Sequence, residues 1–255
     1  MPDLSPETRG EIKVGCCGFP EARSLYYKHY PVVEIQQTFY QLPRVETALK
    51  WRREAPSDFV FSMKVWQAIT HEATSPTYRR MRMPIAYQRK KDYGSFKPTR
   101  VVFQAWENTK KIAQALQAAV LVFQCPGSFQ PTDTNLSNMR HFFKSIDRED
   151  FTFVWEPRGR WEPDTVRQLC EELDLIHGVD PFRSLPVAGN IFYFRLHGKM
   201  NYRYAYTDEE LSELRGIVLS LAKPGFVMFN NSNMKSDAAR FMSLLAQKTG
   251  VSSGN

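Results

Sequence analysis

Eight short runs rich in Val, Ile, Phe and Tyr recur along the chain, at residues 12–16, 32–36, 59–64, 120–124, 151–156, 175–180, 191–197 and 226–230. Several are apolar without alternation, the pattern of parallel strands covered on both faces. Between them the period changes to that of amphipathic helices. Val102, Ala105, Trp106, Thr109, Ile112, Ala113 and Leu116 form one stripe behind an N-cap at Thr99, and Leu136, Met139, Phe142, Phe143 and Ile146 form another. Pro163 suits the first turn of a helix carrying Val166, Leu169, Cys170 and Leu173. Thr207-Asp208-Glu209-Glu210 is a capping box ahead of Leu211, Leu214, Val218 and Leu221, and Ser236 opens a last helix through Phe241, Met242 and Leu245.

Strand–helix alternation over the whole length implies an α/β fold with a parallel sheet. Eight strands without a dinucleotide-binding fingerprint favour closure into a single (β/α)8-type, TIM-like barrel domain spanning residues 1–255, a length in the usual range for that architecture. Two connections break the repeat. About 55 residues separate the third and fourth strands, which predicts an insertion at about 65–100 over the barrel mouth. Residues 181–190 are too few for a crossover helix, so the repeat there is degenerate, and residues 251–255 read as a frayed tail.

Hydrophobic residues make up 42% and aromatics 13%, enough to exclude a disordered chain. No run approaches the length of a membrane span, and the polar, acidic start Met1-Pro2-Asp3-Leu4 is not a secretory signal. Cys16, Cys17, Cys125 and Cys170 show neither CxxC nor zinc spacing, so they read as reduced thiols, vicinal Cys16-Cys17 as small residues at a strand end, and the expected compartment is the cytoplasm. The net charge of +7 is local: Arg79, Arg80, Arg82, Arg89, Lys90, Lys91, Lys97 and Arg100 stand against only Asp92, and the rest of the chain is balanced. That concentration points to an anionic partner, a small molecule or a nucleic acid.

The order of motifs then becomes informative. Val14-Gly15-Cys16-Cys17-Gly18-Phe19, Val33-Glu34-Ile35-Gln36-Gln37-Thr38-Phe39-Tyr40, Phe61-Ser62-Met63-Lys64, Ile69-Thr70-His71, Phe123-Gln124-Cys125-Pro126-Gly127, Glu156-Pro157-Arg158, Phe194-Arg195-Leu196-His197-Gly198 and Phe229-Asn230-Asn231 together resemble the YecE-like family, domain of unknown function seventy-two. The resemblance covers almost the whole chain and implies a TIM-barrel-like fold without an established reaction. It also implies kinship in fold to the barrels of apurinic endonucleases and xylose isomerases, an analogy that carries no function. Many members have an Arg-His pair after the fifth strand where this chain has Glu156-Pro157-Arg158, so a role of that histidine does not carry over.

Barrel enzymes take their reacting groups from the carboxyl ends of the strands. Here those ends carry Glu34 and Gln36, Lys64, Gln124, Glu156 and Arg158, Asp180, Arg195 and His197, and Asn230 with Asn231. A purely structural reading pairs Glu34 with Lys64 and Glu156 with Arg195 across the top of the core. The functional reading makes Glu156 the general acid/base, with a carboxyl raised toward neutrality by burial, and His197 the second candidate, with Gly198 leaving room for a ligand. Lys64, Arg158 and Arg195 would hold an anion, and Gln124, Asn230 and Asn231 would orient hydroxyls or amides.

A metal site from Glu34, Glu156, Asp180 and His197 is disfavoured by the cations around it, so no metal or other cofactor is expected. Tyr202, Tyr204 and Tyr206 interleave with Lys199 and Arg203 in a way that could stack bases. The expected activity is hydrolysis or lyase chemistry on a phosphate-bearing substrate. The alternatives are a non-catalytic nucleic-acid-binding module and a sugar isomerase-like enzyme. P-loop, GxSxG and HExxH signatures are absent.

Overall fold

The computed structural model describes residues 11–81 and 86–247. The tail at 251–255, Arg82 and the N-terminal segment discussed above lie outside them. Eight parallel strands close into a barrel in chain order: β1 (Ile12–Cys17), β2 (Val32–Ile35), β3 (Val60–Lys64), β4 (Ala118–Gln124), β5 (Thr152–Glu156), β6 (Ile176–Val179), β7 (Phe192–Leu196) and β8 (Gly225–Phe229), with β8 returning to β1. Every apolar run of the sequence is a strand, with bounds that differ by one or two residues at either end. The chain is therefore the TIM-like barrel its patterning predicts.

Helices among the described residues are α1 (Arg23–His29), α2 (Gln37–Tyr40), α3 (Val45–Glu54), α4 (Gln67–Thr70), α5 (Arg100–Leu116), α6 (Asp133–Ser145), α7 (Pro163–Leu173), α8 (Asp208–Ser220) and α9 (Met234–Ala246). The stop and start signals act as their chemistry requires. Thr99 Oγ1 accepts from Val102 N at 3.3 Å, and Thr207 and Glu210 cap each other reciprocally. Helix α9 begins two residues before Ser236, because a turn from Asn231 O to Met234 N already starts the coil. No helix joins β6 to β7, so that repeat is degenerate as its length dictates. No helix among the described residues is long and apolar enough to cross a membrane.

Two cores follow from the pleat. Alternate strand residues such as Val33, Phe61, Phe123 and Trp155 face outward and pack under the helices. The others face the barrel axis: Val32, Val120, Val122, Val154, Ile176, Ile191, Tyr193 and Met228 fill its lower part. Above that apolar plug the inward positions turn polar, which sets the height of the site.

The long β3–β4 connection does two jobs. Its first part supplies His71, Thr77 and Arg80 to the wall of the mouth. Its later part returns to α4, where Gly94 N and Phe96 N donate to Ala68 O and Ile69 O at 2.9 and 3.0 Å, and Phe96 is buried against Phe129 and Phe142. The excess positive charge is correspondingly divided. Arg80 faces the mouth, Lys97 bonds Glu72 at 2.8 Å, and Arg89 and Arg100 line a separate depression beside Trp66. All four cysteines are buried free thiols.

Candidate functional site

Arg195, at the end of β7, organises the top of the barrel. Its guanidinium is fully buried and holds Glu34 of β2 in a fork, Nε to Oε2 and Nη2 to Oε1, both at 2.8 Å. Its Nη1 donates to Gln124 Oε1 of β4 at 2.8 Å and to Glu156 Oε2 of β5. Tyr193 OH adds a bond to Glu34 Oε2 at 3.0 Å and lies 2.7 Å from Ser62 Oγ. One cation thus ties four strands. The pairing of Glu34 with Lys64 is corrected: Arg195 takes both carboxylates, and Lys64 has no ion pair or hydrogen bond at its Nζ among the described residues.

The expectation that burial raises the Glu156 carboxyl toward neutrality is also reversed. Burial does push it up, but Arg195, Arg158 and His197 outweigh that and hold it well below the usual carboxylate range. Its Oε1 lies 2.6 Å from Arg158 Nη2 and 3.4 Å from His197 Nε2. A carboxylate so clamped serves as a fixed anion and is a poor proton donor near neutrality.

His197, the second acid–base candidate, is held differently. Burial lowers the imidazole below its ordinary value, against the opposing pull of Glu156, so the ring is neutral near pH 7. Arg158 Nη2 bonds Nε2, and Asn230 Nδ2 lies 2.9 Å from Nδ1. Arginine can only donate, so a neutral ring satisfies both neighbours when Nε2 accepts from Arg158 and Nδ1–H donates to the Asn230 amide oxygen, with that amide flipped.

Lys64, at the end of β3, is 5% exposed and points into the mouth with Nζ 3.7 Å over the Phe39 ring. Burial first, then Arg195 and Arg158, pull its ammonium down to about 7, against Glu156 and Glu34. His71, edge-on to the same Phe39 at 4.8 Å, is pushed down to about 3 by burial and by Lys64.

These groups open into a cleft of about 1000 Å³. Among the described residues its lining includes Arg23, Lys64, Arg80, Arg158 and Arg183, together with Gln36, Gln124, His197, Tyr202 and Asn230, and contains no aspartate or glutamate. Arg23 is bonded to Glu54 at 2.9 Å and Arg80 to Tyr40 OH at 3.0 Å, so both are positioned at the rim.

Three expected site residues do other work. Asp180 accepts from His197 N and Phe182 N, both at 3.2 Å, and so clips the β6 and β7 ends together below the cleft. Asn231 is fully buried on the outer side, donating to Tyr204 O at 2.7 Å and Asp237 Oδ2 at 2.6 Å. Replacing Asn231 with alanine should cost about 1–3 kcal/mol in urea unfolding, by leaving Asp237 under-bonded, while ligand affinity at the mouth stays unchanged. Gly198 does not leave room for a ligand: its φ is +85°, and a Cβ there would stand 2.3 Å from Asn201 O.

The tyrosine ladder is likewise mostly structural. Tyr206 is buried, stacked on Phe182 and accepting from Gly198 N at 2.9 Å, and Tyr204 bonds Glu210. Only Tyr202, 57% exposed, reaches the cleft. Sequence reasoning missed Phe39, Tyr40, Cys17 and Arg183 as lining residues. The first three lie inside quoted motifs, whereas Arg183 carries no signal beyond its place in the short β6–β7 loop. No group of three or more His, Cys, Asp or Glu among the described residues is arranged to hold a metal ion.

Comparison with known proteins agrees with this architecture. The family described as protein of unknown function DUF72 matches residues 19–254. The chain belongs to that family. It is similar to the UPF0759 protein YunF of Bacillus subtilis (strain 168), 23% identical over 246 residues, covering 84% of this chain and 81% of that protein. Among solved structures, a DUF72 family protein from Enterococcus faecalis V583 superposes with a TM-score of 0.70 at 22% identity, over 94% of this chain and 99% of that one. A D-psicose 3-epimerase superposes at 0.58 and 10% identity, over 91% and 97%, a likeness of fold alone.

Proposed function

We propose that the barrel mouth of this DUF72 protein binds a small phosphate- or carboxylate-bearing molecule and that His197 moves a proton on it. One observation carries the reading: among the described residues five basic side chains and no carboxylate line the cleft, while the nearby Glu34 and Glu156 are already bound by Arg195. Arg158 is the main anion contact, since its guanidinium is tied at one edge to Glu156 and His197 and its Nε is buried without a partner. Asn230 orients the imidazole, and Gln124 and Tyr202 offer hydrogen bonds to hydroxyls of a bound molecule.

A polynucleotide is less well served. The basic segment sends only Arg80 to the cleft among its described residues, and the Tyr202–Tyr206 ladder contributes only Tyr202, so the two features that pointed to a polynucleotide do not combine into a continuous cationic track. Calorimetric titration with ribose 5-phosphate, inorganic phosphate and a single-stranded oligonucleotide separates these cases. Binding of ribose 5-phosphate, weakened about tenfold or more by Arg158→Ala, supports the proposal. Binding of the oligonucleotide alone, with a steep salt slope, would replace it with a nucleic-acid function.

A further inference from the structure

The mouth contains one polar group whose surroundings an anion site alone does not explain. A lysine ammonium is ordinarily a compact, strongly hydrated point charge on a flexible stem. Lys64 is instead nearly enclosed, with its stem in the barrel wall. Thr38 Oγ1 lies 2.6 Å from the Lys64 carbonyl oxygen and ties α2 to the end of β3, and Phe39 of the same α2 places its ring face under Nζ. No carboxylate is given to it, although two stand in the same polar layer and both are committed to Arg195. Lys64 lines the cleft.

We propose that Lys64 is an imine-forming nucleophile, condensing with the carbonyl carbon of an anionic aldehyde or ketone whose phosphate or carboxylate is held by Arg158. This deepens the anion-binding reading and rests on it. The amine nitrogen attacks the carbonyl carbon and the C–O π pair moves to oxygen, giving a carbinolamine. The C–O bond then breaks, the oxygen leaves as water with two hydrogens, and the nitrogen keeps the positive charge of the starting ammonium in C=NH⁺. No oxidant or reductant is consumed.

The environment favours each part of this step. Enclosure and the absence of a hydrogen-bonded carboxylate leave the nitrogen lone pair available, the condition under which lysine acts as a nucleophile. With the amine near 7 rather than its ordinary value, the free-base fraction at neutral pH is about a thousandfold larger than for an exposed lysine. The product iminium carries the same charge as the ammonium and so keeps the attraction of Glu156 and Glu34 beneath it. The neutral His197 is in the same cleft to shuttle the protons.

The test uses the full chain and pyridoxal 5′-phosphate, a small anion bearing an aldehyde, trapped with borohydride and mapped by peptide mass spectrometry. The expected result is reduction onto Lys64 at least about tenfold faster at pH 7 than onto exposed lysines, half-maximal near pH 7 and suppressed by ribose 5-phosphate. In Lys64→Arg, which keeps the cation, that adduct should vanish while pyridoxal phosphate still binds. If the unsubstituted protein binds pyridoxal phosphate in competition with ribose 5-phosphate but yields no Lys64 adduct, the amine is a plain anion contact and the covalent inference falls alone. If neither ligand binds, the anion site and the imine fall together.

Discussion

Replacing Arg195 with methionine should destabilise the protein by about 3–5 kcal/mol, the range expected when one member of a buried charge cluster is removed and its partners remain. The guanidinium is fully buried and satisfies two carboxylates and one amide at once. Without it Glu34 is left with the Tyr193 hydroxyl, and Glu156 with Arg158 and His197 at the open side. Both carboxylates would then favour protonation. The loss should therefore be partly recovered when Glu34→Gln and Glu156→Gln are added to Arg195→Met. Urea unfolding of the single and triple variants measures this, and a triple variant as unstable as the single one would mean that Arg195 acts through packing rather than charge.

The opposite sign is expected at Lys64. Its ammonium is pulled down to about 7 in the folded protein, and an unfolded lysine titrates near its ordinary value. Between those two values the unfolded chain binds the proton and the folded one does not, so stability rises with pH across that window and the cost of the buried charge is fully felt below pH 7. Lys64→Met should consequently stabilise the protein by a few kcal/mol at pH 6, on the order set by a shift of this size, with the gain fading toward pH 10. Thermal unfolding at several pH values reads it directly. A residue whose removal stabilises the fold is one the fold does not need, and destabilising positions of this kind cluster at functional sites.

The barrel was legible because its evidence is local. Continuous apolar runs such as Val120–Val122 and Phe192–Phe194 have one reading under the strand period, and caps at Thr99 and Thr207 work within a single turn. The polar strand ends were legible too, as positions: Glu34, Lys64, Gln124, Glu156, Arg195 and His197 do meet at one height in the barrel. Their partnerships were not. Which carboxylate Arg195 takes depends on how closure brings β2, β4, β5 and β7 around one point, and a linear pattern carries no such distances.

The direction of the Glu156 shift failed for the same reason, since it is set by Arg195, Arg158 and His197, which come from the ends of β5 and β7. Gly198 and Asn231 misled differently. Each looks chemical beside His197 and Asn230, yet the pleat and the 198–206 loop turn both away from the cleft to hold the backbone. The basic segment was legible as a concentration of charge, but not the division of its cations between the mouth and the depression beside Trp66.

An amine without a carboxylate partner that faces an anion site should gain protons when an anion binds, and one titration tests this most directly. Sulfate keeps its full charge at any pH near neutrality, so protons taken up when it binds must come to the protein. Calorimetry at pH 7 in two buffers of different ionisation enthalpy should show sulfate binding with uptake of about half a proton, lost in Lys64→Met. Binding with no proton uptake, or no binding while the fold is intact, would contradict it.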